Sequence, residues 1–443
     1  MGRSRKGSFA VTLFPLFLSL VTFASFGCYL VFYSKGSDLP YGRKSPAGVD
    51  VLNYVDSDST EGERKLNIEV TYPLLLDDPV NGAYPVYNSL LDIISVWNPD
   101  NPDPPLEFRE TLQHFNYSNP DEMIMAIKFR NAELPFKVYD IPEFDSAALK
   151  WDDYYLTSQF RNVIQSRRVE KSRNNHFMYW NPNTRGKMRD HWEPPTEFVD
   201  NMQFENWLRI AKRADQAKVR NESVHYYFMT NAPPGAAGEE ESFISRDLPS
   251  FSDAAKNFFV TNVVANKGIQ CRFGMRGIIA EAHYDSGRNM VAMIKGAKRY
   301  ILNPPSACKQ LGIISDTKHP SYRHSVIDWS DINEATRRGF RSVDAIDTIV
   351  QAGEVLYIPS YWFHYIVSLK YSIQCNSRSG SPPHREGQAE IEACLGDKLA
   401  LQGYVDVNIL IVYVDTAIFN SSRFRINRIL FLIQFITFQQ YYH

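Results

Sequence analysis

Little in the composition commits this chain to a specialised chemistry. It has only five cysteines in 443 residues, none in a CxxC pair. That excludes a disulfide-dense scaffold and a zinc ribbon. A charge surplus is missing too, since 48 Lys and Arg face 50 Asp and Glu for a formal net charge of −2. Phosphate backbones select an excess of basic side chains, so no nucleic-acid partner is expected. Pervasive disorder is excluded as well. With 44% apolar and 14% aromatic residues, the chain can offset its ordering entropy by burial. Its length divided by roughly 150 gives two to three domains as a starting estimate.

Long hydrophobic runs are scarce, with one exception. Residues 9–33 carry no charge and follow Arg3, Arg5 and Lys6. A helix of ~20 residues spans a bilayer core, and this run is long enough. It exceeds the apolar stretch of a cleaved signal peptide, so it reads as an uncleaved single-pass anchor, with a cleaved signal or transit peptide as the alternative. Lys35, Arg43 and Lys44 nearly balance the basic tail of residues 1–8. A short basic tail is hard to translocate, which favours a luminal catalytic part (endoplasmic reticulum or Golgi), with the cytosolic orientation as the alternative. Sequons at Asn116, Asn221 and Asn420 test that orientation. Residues 34–132 read as a polar stem and a lead-in. At the other end, the short apolar runs 409–419 and 429–438 cannot span a bilayer, and Asp415 interrupts the first. The tail 397–443 is read as appended packing, a homodimer contact, a membrane-surface segment or a stretch with no selected structure.

Chemistry concentrates between 133 and 396. In 271–305, short β-branched and aromatic runs are punctuated by Gly274, Gly277, Gly287, Gly296 and Pro304-Pro305. The same grammar returns in 351–376, and strands so spaced predict an all-β sandwich or barrel. His283 and Asp285 are two apart, so on a strand both project from one face, about 6.6–6.8 Å apart. An imidazole and a carboxylate could then converge on one ion. His364, from the second strand-rich segment, would complete a facial set of two His and one carboxylate, which leaves coordination positions open. The spacing alone is weak. His191 with Glu193 and His384 with Glu386 are rival pairs, but both lie against Pro-Pro dipeptides, which do not suit a buried strand. By itself the pair leaves open a reading of His283 as a hydrogen-bonded core residue.

The segments HYDSGRNMVAMIKGAKRYILNPP (283–305) and GEVLYIPSYWFHYIVS (353–368) resemble the JmjC hydroxylases of the cupin superfamily. The similarity is closest to the factor-inhibiting-HIF type of protein hydroxylase. It is strong over 258–376 and fainter upstream, where Trp151, MQFENWL (202–208) and HYYFMTNAPP (225–234) suit the lead-in to such a domain. The resemblance implies a mainly β fold, a double-stranded β-helix barrel with flanking helices, here behind one transmembrane helix. It also implies Fe(II) and 2-oxoglutarate, with His283, Asp285 and His364 as metal ligands. Lys298 stands where the family places a cation for the distal carboxylate of 2-oxoglutarate. Asn289, Asn376 and Tyr227 match positions that contact the co-substrate or its neighbours. Lys295 is a rival cation, but strand parity groups Lys298 with Tyr300 and Leu302. One departure is Ala280, where the family often has a Thr whose hydroxyl bonds 2-oxoglutarate. Trp362 and Phe363 read as packing around the pocket. If the domain is luminal, its cysteines can pair, although the sequence does not say which.

The function expected is therefore a 2-oxoglutarate-dependent dioxygenase acting on a protein or peptide side chain. N-methyl-lysine demethylation is the alternative within the same chemistry, and a non-catalytic membrane-tethered binding module is the alternative outside it.

Overall fold

The computed structural model describes residues 68–73, 84–162, 167–181, 193–216, 223–233, 242–252, 256–380 and 386–396, together with the backbone of two strands in the tail. The chain divides into two units, Met1–Gly62 and Glu63–His443, and every described residue lies in the second. The anchor expected at 9–33, the stem as far as residue 67 and the rivals His191 and His384 lie outside the described residues. No helix among the described residues is long and apolar enough to cross a membrane.

Eight strands carry the architecture: β1 Asn266–Gly274, β2 Ile279–Tyr284, β3 Asn289–Lys295, β4 Ala297–Asn303, β5 Asp344–Gln351, β6 Val355–Ile358, β7 Phe363–Ser368 and β8 Ser372–Ser379. They fall into two antiparallel sheets, and the chain crosses from one to the other at every connection except β4–β5, which stay in the same sheet. One runs β6-β3-β8-β1 and is extended to nine strands by lead-in segments that include His114–Asn116, Phe136–Tyr139 and His225–Ala232. The other runs β5-β4-β7-β2 and reaches six. This is the jelly-roll order of a double-stranded β-helix. The barrel expected from sequence is not closed, however. Each of the eight strands pairs only within its own sheet, so the fold is a sandwich whose open space lies between two faces.

Alternation along the strands explains three separate apolar clusters. Val291, Met293, Tyr300, Leu302, Ile346, Val350, Leu356, Ile358, Trp362 and Ile366 fill the space between the sheets. Ile269, Cys271, Phe273, Ile373 and Cys375 point outward from the nine-stranded sheet. There they meet the helix Phe204–Gln216, whose Phe204, Trp207, Leu208 and Ala211 fall on one helical stripe. Behind the six-stranded sheet, the helix Leu90–Val96 buries Leu90, Leu91, Ile93 and Ile94, and Ser89 caps its first turn. Two disulfides, Cys271–Cys375 and Cys308–Cys394, cross-link the domain. The first joins register partners on β1 and β8.

Gly296 is the single residue between β3 and β4, where the chain passes from one sheet to the other. Its φ is +71°, and a Cβ there would collide with the carbonyl oxygen of Tyr371. In the tail, Ile409–Ala417 pairs antiparallel with Ile426–Gln434, a register that sets Asp415 opposite Arg428.

Gly296→Ala is expected to cost more than ~2 kcal/mol in chemical denaturation, because backbone strain and a collision add. Gly339→Ala is its control. There φ is +80° but nothing lies within 4 Å of the added Cβ, so only the left-handed term of about 1 kcal/mol remains. Equal losses would contradict the close-approach argument.

Candidate metal and co-substrate site

The site begins with a register. β2 and β7 pair antiparallel with His283 directly opposite His364, and a β-bulge interrupts the ladder between Ala280 and His283. The bulge decides the facing. Ile279, Ala282 and Tyr284 pack into the outer cluster, whereas Ala280 and His283 turn inward. Without the extra residue, His283 would share the outward face of Ile279. Asp285 follows the end of β2 and is held by its backbone, whose carbonyl accepts the Tyr361 N–H at 2.7 Å. Tyr361 and Arg323, both in contact with Asp285, are non-glycine residues with φ of +66° and +77°. Left-handed backbone at two such residues is sparsely populated and clusters at functional sites.

One ligand atom each from His283, Asp285 and His364 falls within 4.8 Å of the other two. The imidazole centroids are 4.2 Å apart, and His364 Nε2 is 3.9 Å from an Asp285 oxygen. Each ring is oriented from behind. His283 Nδ1 donates to the Glu281 carbonyl at 2.8 Å, and His364 Nδ1 donates to the Trp362 carbonyl at 3.2 Å. Both Nε2 lone pairs are thereby left for the space between the sheets. Burial holds His283 well below the usual histidine range, with His364 and His324 adding to it. His364 is lowered by burial too. For Asp285, burial pushes upward, but Arg378, His283, His364 and Arg323 more than offset it and keep the carboxylate ionised. Two neutral imidazoles and one carboxylate on a common point are a donor set suited to a divalent ion. The residues present fit a bound metal.

The predicted co-substrate residues gather beside it. Asn289 Nδ2 donates to Asp285 at 3.4 Å, and Asn376 Nδ2 donates to Asn289 Oδ1 at 3.2 Å, so the two amides form a chain ending on the carboxylate. Lys298 is fully buried on β4, and its Nζ reaches the Tyr227 hydroxyl at 3.3 Å. It has no carboxylate partner among the described residues. Burial, with Arg272 nearby, pushes its ammonium well below the usual lysine range. A buried cation lacking an anion is costly, which suits a pocket shaped for an anionic ligand. Lys295, the rival, sits half-buried at the end of β3. Ala280 supplies no hydroxyl, but Tyr227 places one beside Lys298, and the Tyr300 hydroxyl, close to Tyr227, donates to Gln374 at 2.6 Å. Trp362 and Phe363 are buried in the inner and outer cores, as packing residues.

Sequence reasoning missed several neighbours. Arg378 pairs with Asp285 at 2.8 Å, and Arg323 approaches it at 3.6 Å. The His324 ring stacks on His283 at 4.8 Å and 18°. Parity along β8 (Gln374, Asn376, Arg378) could have revealed the first. Arg323 and His324 arrive from the long β4–β5 connection, where no periodicity announces them.

An open jelly roll with a His/Asp/His cluster between its sheets defines a cupin-like protein. Residues 126–377, more than half of the chain, match the family of cupin-like domains, and the chain belongs to that family. It is 32% identical over 101 residues to lysine-specific demethylase JMJ30 of Arabidopsis thaliana, covering 23% of each chain. It is 30% identical over 107 residues to JmjC domain-containing protein D of Dictyostelium discoideum, covering 24% of each. With tRNA wybutosine-synthesizing protein 5 of Danio rerio it shares 26% identity over 105 residues, 24% of this chain and 30% of that one. The chain thus spans about a quarter of the length of the curated relatives it matches.

Lys298→Met is expected to move two observables in opposite directions. Replacing an unpaired buried cation by an isosteric apolar chain should stabilise the metal-free fold by on the order of 1 kcal/mol. On the expectation that Lys298 receives the distal carboxylate of 2-oxoglutarate, the substitution should also weaken binding of that dicarboxylate by about tenfold or more through loss of a charge-assisted contact. Thermal melting and calorimetric titration read the two effects. Unchanged 2-oxoglutarate affinity would remove Lys298 from the site.

Proposed function

We propose that this protein is an Fe(II)- and 2-oxoglutarate-dependent dioxygenase that hydroxylates a protein side chain, as in the factor-inhibiting-HIF type. The observation that carries the reading is the convergence of His283, Asp285 and His364 within 4.8 Å, beside a buried Lys298 that, among the described residues, meets a tyrosine hydroxyl and no carboxylate. When bound, Fe(II) supplies the redox chemistry by which 2-oxoglutarate, O₂ and a C–H substrate become succinate, CO₂ and the hydroxylated product. The chain's own residues do the positioning. His283 and His364 present neutral nitrogens whose other N–H is tied to a backbone carbonyl. Asn289 and Asn376 steady Asp285. Lys298 and Tyr227 receive the distal carboxylate of 2-oxoglutarate, and the apolar residues between the sheets keep that pocket dry.

The test is conversion of 2-oxoglutarate to succinate by the full-length protein with Fe(II), with and without a peptide library. His283→Ala and Asp285→Ala should abolish turnover and metal binding while circular dichroism stays unchanged. Retained turnover in either variant would sink the ligand assignment. Absence of turnover under every condition would favour a non-catalytic binding module. Turnover confined to N-methyl-lysine peptides would favour demethylation, a reading that draws on the names of two relatives.

We further propose that residues 9–33 anchor the chain and that its catalytic part faces an oxidising lumen. Support comes from the pairing of Cys271 with Cys375 and of Cys308 with Cys394, because such bonds persist outside the reducing cytosol. Alkylation of the cellular protein before and after reduction, read by mass spectrometry, should find all four blocked as disulfides. Four free thiols would count for the cytosolic orientation.

A further inference from the structure

The charge around the site is uneven in a way that the metal and the co-substrate do not use up. Arg272 on β1, the register partner of Gln374, acts on the Lys298 ammonium, and among the described residues neither has a carboxylate within ion-pair distance. Arg323 and Arg378 share one carboxylate, Asp285, which the metal would also claim. Arg168 pairs with Glu170 at 2.5 Å, and the Nε atoms of Arg168 and Arg378 are buried without hydrogen-bond partners among the described residues. Among the described residues, these four arginines and one lysine therefore meet two carboxylates. The dication and the 2-oxoglutarate dianion cancel each other, so a surplus of about three positive charges would remain with both bound. The net charge of the whole chain is −2, so this surplus is local.

A wall of stacked groups leads outward from the metal. His283 packs on His324, and His324 on Tyr179 at 6.2 Å and 23°. The Arg168 guanidinium lies 5.7 Å from the Tyr179 ring and 4.3 Å from that of Phe198, which is 48% exposed. Aromatic faces that might have caged an ammonium are thus covered by one another and by Arg168. Among the described residues of this wall, a methyl-lysine cation would find the faces of His324 and Tyr179 already stacked and Arg168 over Phe198, and both carboxylates, Asp285 and Glu170, already paired with arginines. A polynucleotide would need a basic stripe along the surface to follow its phosphates, whereas Arg168, Arg272 and Arg323 cluster around Tyr179.

We propose that the mouth of the site, built by Arg168, Arg272 and Arg323 along the His324–Tyr179 wall, is a receptor for a single carboxylate, so that the substrate is a protein segment presenting an Asp or Glu at or beside the oxidised residue. The inference rests on the oxygenase reading above and narrows it to acidic peptides. Guanidinium groups bind carboxylates through paired, charge-assisted hydrogen bonds. Loss of one such contact in a desolvated site is worth about tenfold or more in affinity.

The experiment compares matched peptide pools that differ only by Asp against Asn or Glu against Gln, with Nε-methyl-lysine pools and a single-stranded RNA oligonucleotide alongside. Succinate formed by the full-length protein above its peptide-free level is the first readout. Anisotropy of the fluorescently labelled acidic pools on the metal-free protein is the second. Acidic pools should exceed their amide partners about tenfold in both, with an advantage that shrinks as salt rises. Arg168→Gln should collapse the acid-to-amide ratio and Arg168→Lys, which keeps the charge but not the fork, should keep only part of it, a ratio that a merely structural role would leave unmoved. Equal or greater response to the amide pools, the methyl-lysine pools or the RNA would overturn the proposal, as would succinate formation that no pool raises. If no succinate forms at all, the oxygenase reading fails, and the binding arm still decides whether a carboxylate receptor exists.

Discussion

Two histidines from segments some eighty residues apart face each other across one pair of strands, and most of the site follows from that pairing. Their cross-strand contact requires β2 and β7 to be neighbours, which in turn requires the two sheets to interleave as they do. It also requires the bulge after Ala280, because a regular ladder would turn His283 outward with Ile279. A bulge leaves one residue unpaired and disturbs the ladder locally. Here its return is the orientation of an imidazole whose Nδ1 is already engaged by the carbonyl of Glu281, the residue at the bulge.

The second constraint is electrostatic. β1 and β8 reverse the usual distribution, sending apolar side chains outward to the helices and polar ones (Gln270, Arg272, Gln374, Asn376) to the space between the sheets. An interior lined this way resists collapse, since burying unpaired cations without an anion is unfavourable. The Cys271–Cys375 bond sits on the outward face of the same two strands. It ties together the backbones from which Arg272 and Asn376 project, so the polar lining is held by a cross-link placed behind it.

Much of the site was legible from short-range pattern. His283, Asp285, Asn289 and Lys298 occupy one continuous stretch, and the identities at those spacings carry a family likeness. Lys298 could be preferred over Lys295 by alternation alone, and the structure buries the former while leaving the latter half-exposed at a strand end. Arg168, Tyr179, Arg272, Arg323 and His324 were not legible. They come from the lead-in, from β1 and from a long connection without periodicity, and only the sandwich gathers them on one wall. The expected barrel is likewise an open pair of sheets, because alternation says which face is apolar and not whether the edges meet.

What the sequence determined by itself was local: strands from alternation, corners from glycine and proline, and the types of side chain that can hold an ion and an anion. Residue chemistry and periodicity are properties of neighbours along the chain, so they survive without a fold. The tertiary structure alone decided the register that turns His283 inward, the pairing of the four cysteines and the crowding of Arg323 and Arg378 on Asp285. Each depends on which distant segments share a face, and a chain with five cysteines and nearly balanced charge carries no trace of that in its composition.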